Sequence, residues 1–187
     1  MWIYLAAGFW ALIAGIQAQI AWNNRSILPL LLAIESALVF WRLLNRKEDA
    51  GAPQPWYVTA IAWASVFLPM GIASLGPAPI LASILSGAGI VLTIWAITSL
   101  GQSFGIAPAD RGLVTRGPYQ ILRHPMYAGA LLNAGAVVAW TPTALNIGLL
   151  VLIIASIVFR VYIEEKVIAG YSEYAAAVRW RVIPFVW

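Results

Sequence analysis

Runs of apolar residues recur along this chain at the length that matches the hydrocarbon core of a bilayer, about 20 residues. Ile3–Trp22, Ile27–Leu44, Trp56–Leu75 and Ile80–Leu100 are four such runs. Met126–Trp140 and Thr143–Phe159 are two shorter ones, split by Thr141-Pro142. Backbone N–H and C=O groups in lipid have no water to bond, so a crossing segment must satisfy them internally, and these runs are read as helices. The expected fold is all-α: a polytopic integral membrane helical bundle of about five to six transmembrane segments. It ends in a helical hairpin that turns at Thr141-Pro142.

Composition agrees with that reading. Of 187 residues 62% are hydrophobic and only 10% charged, where a soluble domain is about a quarter charged. Too little polar surface is left to cover a globule in water. The 10 tryptophans suit membrane–water interfaces. The absence of cysteine excludes disulfides, thiolate metal sites and thiol nucleophiles, and His124 alone cannot build a metal site, so no metal is expected. The net charge of +4 is read as loop charge that sets orientation, with no nucleic-acid partner.

The chain is expected to be a single membrane domain, 1–187. Residues 1–100 form a scaffold of four spans, and 101–187 carry the chemistry. If each run and each arm of the hairpin crosses, the 42–55 loop, the 101–125 loop and the tail from Arg160 lie on the side of the N-terminus. Together they hold Arg42, Arg46, Lys47, Arg111, Arg116, Arg123, Arg160, Lys166, Arg179 and Arg181, against Arg25 alone on the other side. Cytoplasmic loops carry the excess of Lys and Arg, so both termini and both large polar segments are expected in the cytoplasm; in a bacterial cell the membrane would be the inner one. The N-terminal run has no basic segment before it and is read as a retained span, not a signal peptide.

Within the spans, Glu35 stands out. A carboxylate in mid-membrane marks a functional site by default, and its alternative is a protonated side chain bonded to a neighbouring helix. Gln17, Gln19 and Asn146 are read as helix–helix glue. Outside the spans, charge concentrates in Leu113–Gly129, which leads into the hairpin, and in Arg160–Glu165, which leaves it. A hairpin brings its open ends together, so these two segments should meet. Pro125 opens a helix favourably, and the free N–H groups of that first turn can hold an anion. Arg123 can grip a carboxylate bidentately. Tyr119 and Tyr127 offer flat faces, and Gly129 permits close approach of a ligand or another backbone. Arg160 and Glu164 are four apart and share a helix face. The alternative to a ligand site is an interfacial salt-bridge net with snorkelling arginines.

The run Gly-x-Tyr, then Arg-His-Pro-x-Tyr-x-Gly, within Leu113–Gly129 resembles the isoprenylcysteine carboxyl methyltransferase family and its bacterial and archaeal relatives. Arg160 with Glu164-Glu165, and Glu173-Tyr174 with Ile183-Pro184, resemble the C-terminus of the same family. The likeness covers about residues 100–187. It implies polytopic helical enzymes that bind S-adenosylmethionine in a cytosolic pocket and release S-adenosylhomocysteine. The lipophilic or prenylated substrate would enter sideways from the bilayer. By motif, Leu113, Val114, Tyr119, His124, Pro125, Met126 and Tyr127 would line the cofactor pocket, with Glu164 holding the cofactor and Arg160 pairing with a substrate carboxylate. Residue chemistry adds Arg123 and Glu165 for the cofactor's charged groups, and Glu35 for the substrate. Arg160 and Glu164 are the expected catalytic residues. Methylation of a phospholipid amine, a nicotinamide-dependent sterol-type reductase and a small transporter are the alternatives.

Overall fold

The computed structural model describes residues 2–74 and 76–187. They form seven α-helices: α1 (Trp2–Asn24), α2 (Ile27–Leu44), α3 (Trp56–Phe67), α4 (Ile80–Leu100), α5 (Pro125–Trp140), α6 (Ala144–Val167) and α7 (Tyr171–Ala177). Among the described residues there is no strand, only a single isolated bridge between Leu122 and Trp180. The all-α membrane bundle is therefore as expected.

The number of full crossings is lower than expected. Four helices, α1, α2, α4 and α6, are long and apolar enough to cross a membrane. The third run is helical only over α3 and a 3-10 turn, Leu68–Gly71. Sixteen residues at 1.5 Å each reach about 24 Å, short of a hydrocarbon core of about 30 Å. Pro69 accounts for part of this, because its ring removes a helical donor. The expected end of this span at Leu75 lies outside the described residues. The first arm of the hairpin, α5, is equally short at 16 residues.

The remaining boundaries follow local chemistry. Pro55 and Pro79 immediately precede α3 and α4, and Pro125 occupies the first turn of α5. Thr143 caps α6 by accepting a bond from the Asn146 amide at 3.1 Å. Gly101 ends α4 at φ +58° and Gly170 precedes α7 at φ +73°, backbone that glycine adopts without strain. The hairpin turns at Thr141-Pro142 as read from sequence. Its second arm runs past Phe159 to Val167, so the tail does not begin at Arg160: Arg160–Glu165 is the last part of a long helix.

Packing between helices uses small residues and a few polar ties. α4 and α5 touch backbone to backbone: a Cβ on Gly89 would lie 2.6 Å from the Gly129 carbonyl oxygen, and one on Gly129 would lie 2.5 Å from that of Gly89. Gly129 thus serves the approach of another helix, the second of its two sequence readings. Ser86 donates to Asn133 Oδ1 at 2.6 Å across the same interface. Ser36 of α2 donates to Gln17 of α1 at 2.8 Å. Asn146 donates to the Ala73 and Thr141 carbonyls and accepts from the Ala73 amide. Gln17 is the expected helix–helix glue, whereas Asn146 ties α6 to the segment after the 3-10 turn and to the hairpin turn. Gln19 is not glue either, since it bonds Asn23 on its own helix.

Candidate functional site

The open end of the α5–α6 hairpin brings the two expected segments together. His124, 6% exposed, precedes α5 and stands between the consecutive carboxylates of α6. Its Nδ1 is 3.7 Å from Glu164 Oε2, and its Nε2 is 3.5 Å from Glu165 Oε1. The ring is stacked between Tyr127 and Tyr171, at centroid distances of 5.6 and 6.1 Å, and the Tyr171 hydroxyl lies 2.9 Å from Nε2. Burial opposes a charge on this imidazole. Hydrogen bonds and attraction from Glu164 and Glu165 outweigh that penalty and raise the His124 pKa above its ordinary value.

The adjacent carboxylates have different duties. Glu164 accepts a short hydrogen bond from the Tyr127 hydroxyl, lies 3.5 Å from Arg160 and forms part of a cleft wall. Glu165 is held in two-pronged fashion by Arg181, at 2.9 and 3.0 Å. It also lies 3.5 Å from Arg123 and accepts from Tyr171 at 3.2 Å. Successive helical positions differ by about 100°, which explains how neighbours face separate surroundings. Glu165 does not line the cleft.

Arg123, expected to grip a carboxylate, donates instead to the Val178, Ala175 and Arg179 carbonyls at 2.6, 2.8 and 3.2 Å. These oxygens belong to the end of α7 and the residues after it, where carbonyls lack helical partners. Tyr174 completes the attachment by donating to the Tyr119 carbonyl at 2.7 Å. Burial raises its hydroxyl to about 12, so it remains a donor at neutral pH. The backbone N–H groups of Arg123 and His124 donate to the Trp180 and Arg181 carbonyls, each at 2.8 Å. The tail is thereby bound across the hairpin mouth.

Arg160 is 4% exposed. It donates to Ser65 Oγ at 2.8 Å and to the Ile106 carbonyl at 2.6 Å, and its guanidinium lies 5.0 Å from the centre of the Tyr127 ring. The group sits behind Glu164 and is absent from the cleft lining; its Nε is buried without a partner.

The cleft has a cavity volume of about 90 Å³, below that of ordinary small-molecule sites, roughly 300–1,000 Å³, so a nucleoside-sized ligand requires it to widen. Tyr119, Arg123, His124, Met126, Tyr127 and Glu164 line it, together with Arg111 and Tyr171. Leu113 lines it and also a second, neighbouring cleft, whereas Val114 borders only the second. Pro125 is fully buried and borders neither. Glu35 lies half-buried on α2, outside both clefts, so the structure does not bring it to the other candidate residues.

Sequence reasoning missed Ser65, Arg111, Tyr171 and the Ile106 carbonyl. Ser65 is one small residue in an apolar run, and no spacing rule singles it out. Tyr171 had a signal, as a tyrosine just beyond a helix rich in charge. Arg111 lines the cleft with Nε buried and unpartnered.

The donor set fits S-adenosylmethionine. One carboxylate, Glu164, faces a cavity walled by Tyr119, Tyr127 and Tyr171 together with Leu100, Leu113 and Met126. Acidic and aromatic groups favour a cation, and the apolar residues suit a nucleoside. A family model, that of phospholipid methyltransferase, matches residues 78–173. The match runs from just before α4 into α7 and spans both arms of the hairpin. No curated protein matches the chain.

Proposed function

Because the chain belongs to the phospholipid methyltransferase family of integral membrane methyltransferases, we propose that it transfers a methyl group from S-adenosylmethionine to a lipophilic acceptor at the cytoplasmic face of the membrane. The observation that carries this reading is the cleft at the hairpin mouth, where Glu164 is the one carboxylate in the lining beside three tyrosine rings. Residues 101–187 form the catalytic half, and residues 1–100 hold it in the bilayer.

When bound, S-adenosylmethionine supplies an electrophilic methyl group on a cationic sulfur. Glu164 holds the ammonium or a ribose hydroxyl, kept in position by Tyr127, His124 and Arg160. Tyr119, Tyr127 and Tyr171 would add aromatic wall to the same cleft beside the cation and the base. The tail, bound over the mouth by Arg123 and Glu165, restricts water. Placing and aligning the reactants in a site of this kind supplies much of the rate of an in-line displacement.

The acceptor is proposed to be an acid, prenylcysteine-like in character, with Arg160 as its partner. A carboxylate is already ionised at neutral pH and needs no base. One observation favours a second reading, an amine acceptor such as a phospholipid head group. Arg160 is occupied by Ser65 and Ile106, while Glu164 is the one carboxylate that lines the cleft, beside Arg111 and Arg123. An amine would need a proton acceptor.

Calorimetry on the detergent-purified protein tests the reading. S-adenosylhomocysteine is expected to bind at micromolar concentration, and reduced nicotinamide dinucleotide phosphate is not. Binding of the nucleotide alone overturns methyl transfer in favour of reduction. Arg160→Gln then separates the acceptors: a loss of turnover with acidic lipids at unchanged cofactor affinity supports the acid, and an equal fall in both removes Arg160 from the acceptor site.

A further inference from the structure

Beside the donor cleft lies a second one with a different chemistry. It has a cavity volume of about 410 Å³. It opens where α2 and α4 end, and three cations border it: Arg42 from the last turn of α2, Lys47 just beyond that helix, and Arg116 from the loop before α5. Among the described residues, none of the three forms a salt bridge. The ion pairs among the described residues are made by His124, Arg123, Arg160 and Arg181 with Glu164 and Glu165. Of the two acids on the loop after α2, Glu48 and Asp49, the second faces backbone, accepting from the Gly51 and Asp110 amides.

The two arginines are anchored and still hold donors in reserve. Arg42 donates one terminal nitrogen to the Thr98 carbonyl at 3.3 Å, and Arg116 donates Nε to the Ser99 carbonyl at 3.2 Å. Both carbonyls belong to the last turn of α4, the negative end of its dipole. Arg42 Nε is buried with no partner. Guanidinium groups fixed at one end present the forked geometry that matches phosphate oxygens. Basic pockets between helices at a membrane surface suit lipid phosphates, and this cleft sits at the same end of the bundle as the donor site.

We propose that the cleft between the ends of α2 and α4, which adjoins the methyl-donor cleft and shares Leu100, Ser103 and Leu113 with it, is a phosphate-binding site that takes the phosphodiester of an anionic lipid head group. Its occupant ties the scaffold half to the loop that carries the catalytic segment.

The test uses the full chain in neutral detergent with fluorescent phosphatidylglycerol as probe. The triple variant Arg42→Gln, Lys47→Gln, Arg116→Gln should weaken binding more than tenfold, at roughly fivefold per cation removed. Lys47→Gln alone, at an exposed position, should weaken it severalfold with an unchanged melting temperature. Displacement of the probe by millimolar inorganic phosphate assigns the cleft to soluble phosphate as well. Displacement only by unlabelled phosphatidylglycerol assigns it to the lipid. Unchanged probe affinity in the triple variant overturns the proposal, as does an equal loss of S-adenosylhomocysteine binding, which would make the cleft part of the donor site. If the wild type fails to bind S-adenosylhomocysteine while the variants still lose the lipid probe, the methyltransfer reading falls and this one stands.

Discussion

The hairpin α1–α2 and the hairpin α5–α6 are both pairs of apolar helices, yet they are joined by different means. Between α1 and α2 the described residues show one side-chain hydrogen bond, from Ser36 to Gln17. Gly8 and Gly15 on α1 have open space where a side chain would go. At the open end of α5–α6, by contrast, two carboxylates, one imidazole, three arginines and two tyrosine hydroxyls share one network. Lipid gives helices no hydrophobic reason to associate, and the first hairpin shows how little polar chemistry a pair needs to stay closed. The dense network at the second exceeds what holds the first pair closed, and that excess supports placing the proposed site there.

Glu164→Gln should have the largest effect on activity. Loss of the carboxylate should weaken S-adenosylhomocysteine binding on the order of 100-fold, read by calorimetry, with a melting temperature close to wild type. A variant that binds normally would remove Glu164 from the donor site and with it the contrast between the hairpins. The packing counterpart is Gly129→Leu, which drives a side chain into the backbone of α4. Overpacking costs typically 1–3 kcal/mol. Here the obstacle is main chain, so the loss should exceed that range and appear as failure to recover folded protein. Gly15→Ala on α1, with nothing to strike, should change stability by less than about 1 kcal/mol.

Glu165→Gln sharpens the contrast within the second hairpin. Its charge holds Arg181, Arg123 and Tyr171, so its loss should cost about 2 kcal/mol and expose the tail beyond Tyr171 to limited proteolysis. Cofactor affinity should fall less than in Glu164→Gln. The pH dependence is smaller and has a definite sign. The His124 pKa is raised in the fold, so its contribution is complete below the unfolded value, about 6.5, and is lost as pH rises through the higher folded value. Melting temperature should decline over that interval, and His124→Asn should flatten the decline. The smallest effect belongs to the first hairpin: Ser36→Ala, removing its one tie, should cost about 0.6 kcal/mol.

Much of the site was legible because it is local in sequence. Arg-His-Pro-x-Tyr and Arg160 with Glu164-Glu165 are compact patterns, and the topology of a hairpin is enough to join them. The division of labour between Glu164 and Glu165 was not legible, since it depends on where the tail docks. Arg123 shows the same limit: an arginine before a helix start invites an anion, and only the position of α7 reveals three carbonyls waiting for it. Helix existence was readable from apolar runs and helix length less so. The run from Trp56 is apolar throughout, but the bend at Leu68–Gly71 shortens the third helix. Ser65 escaped notice because its partner Arg160 is 95 positions away.

The crossing of Gly89 and Gly129 bears on how anything reaches the cleft. With main chain against main chain there is no slack between α4 and α5, and neither can slide or rotate without breaking contact along the pair. These two helices therefore behave as one solid wall. Any widening that admits a bulky guest must come from the walls opposite, where the tail is docked by side-chain bonds. The doorway and the hinge belong to the late, polar-tied parts of the chain.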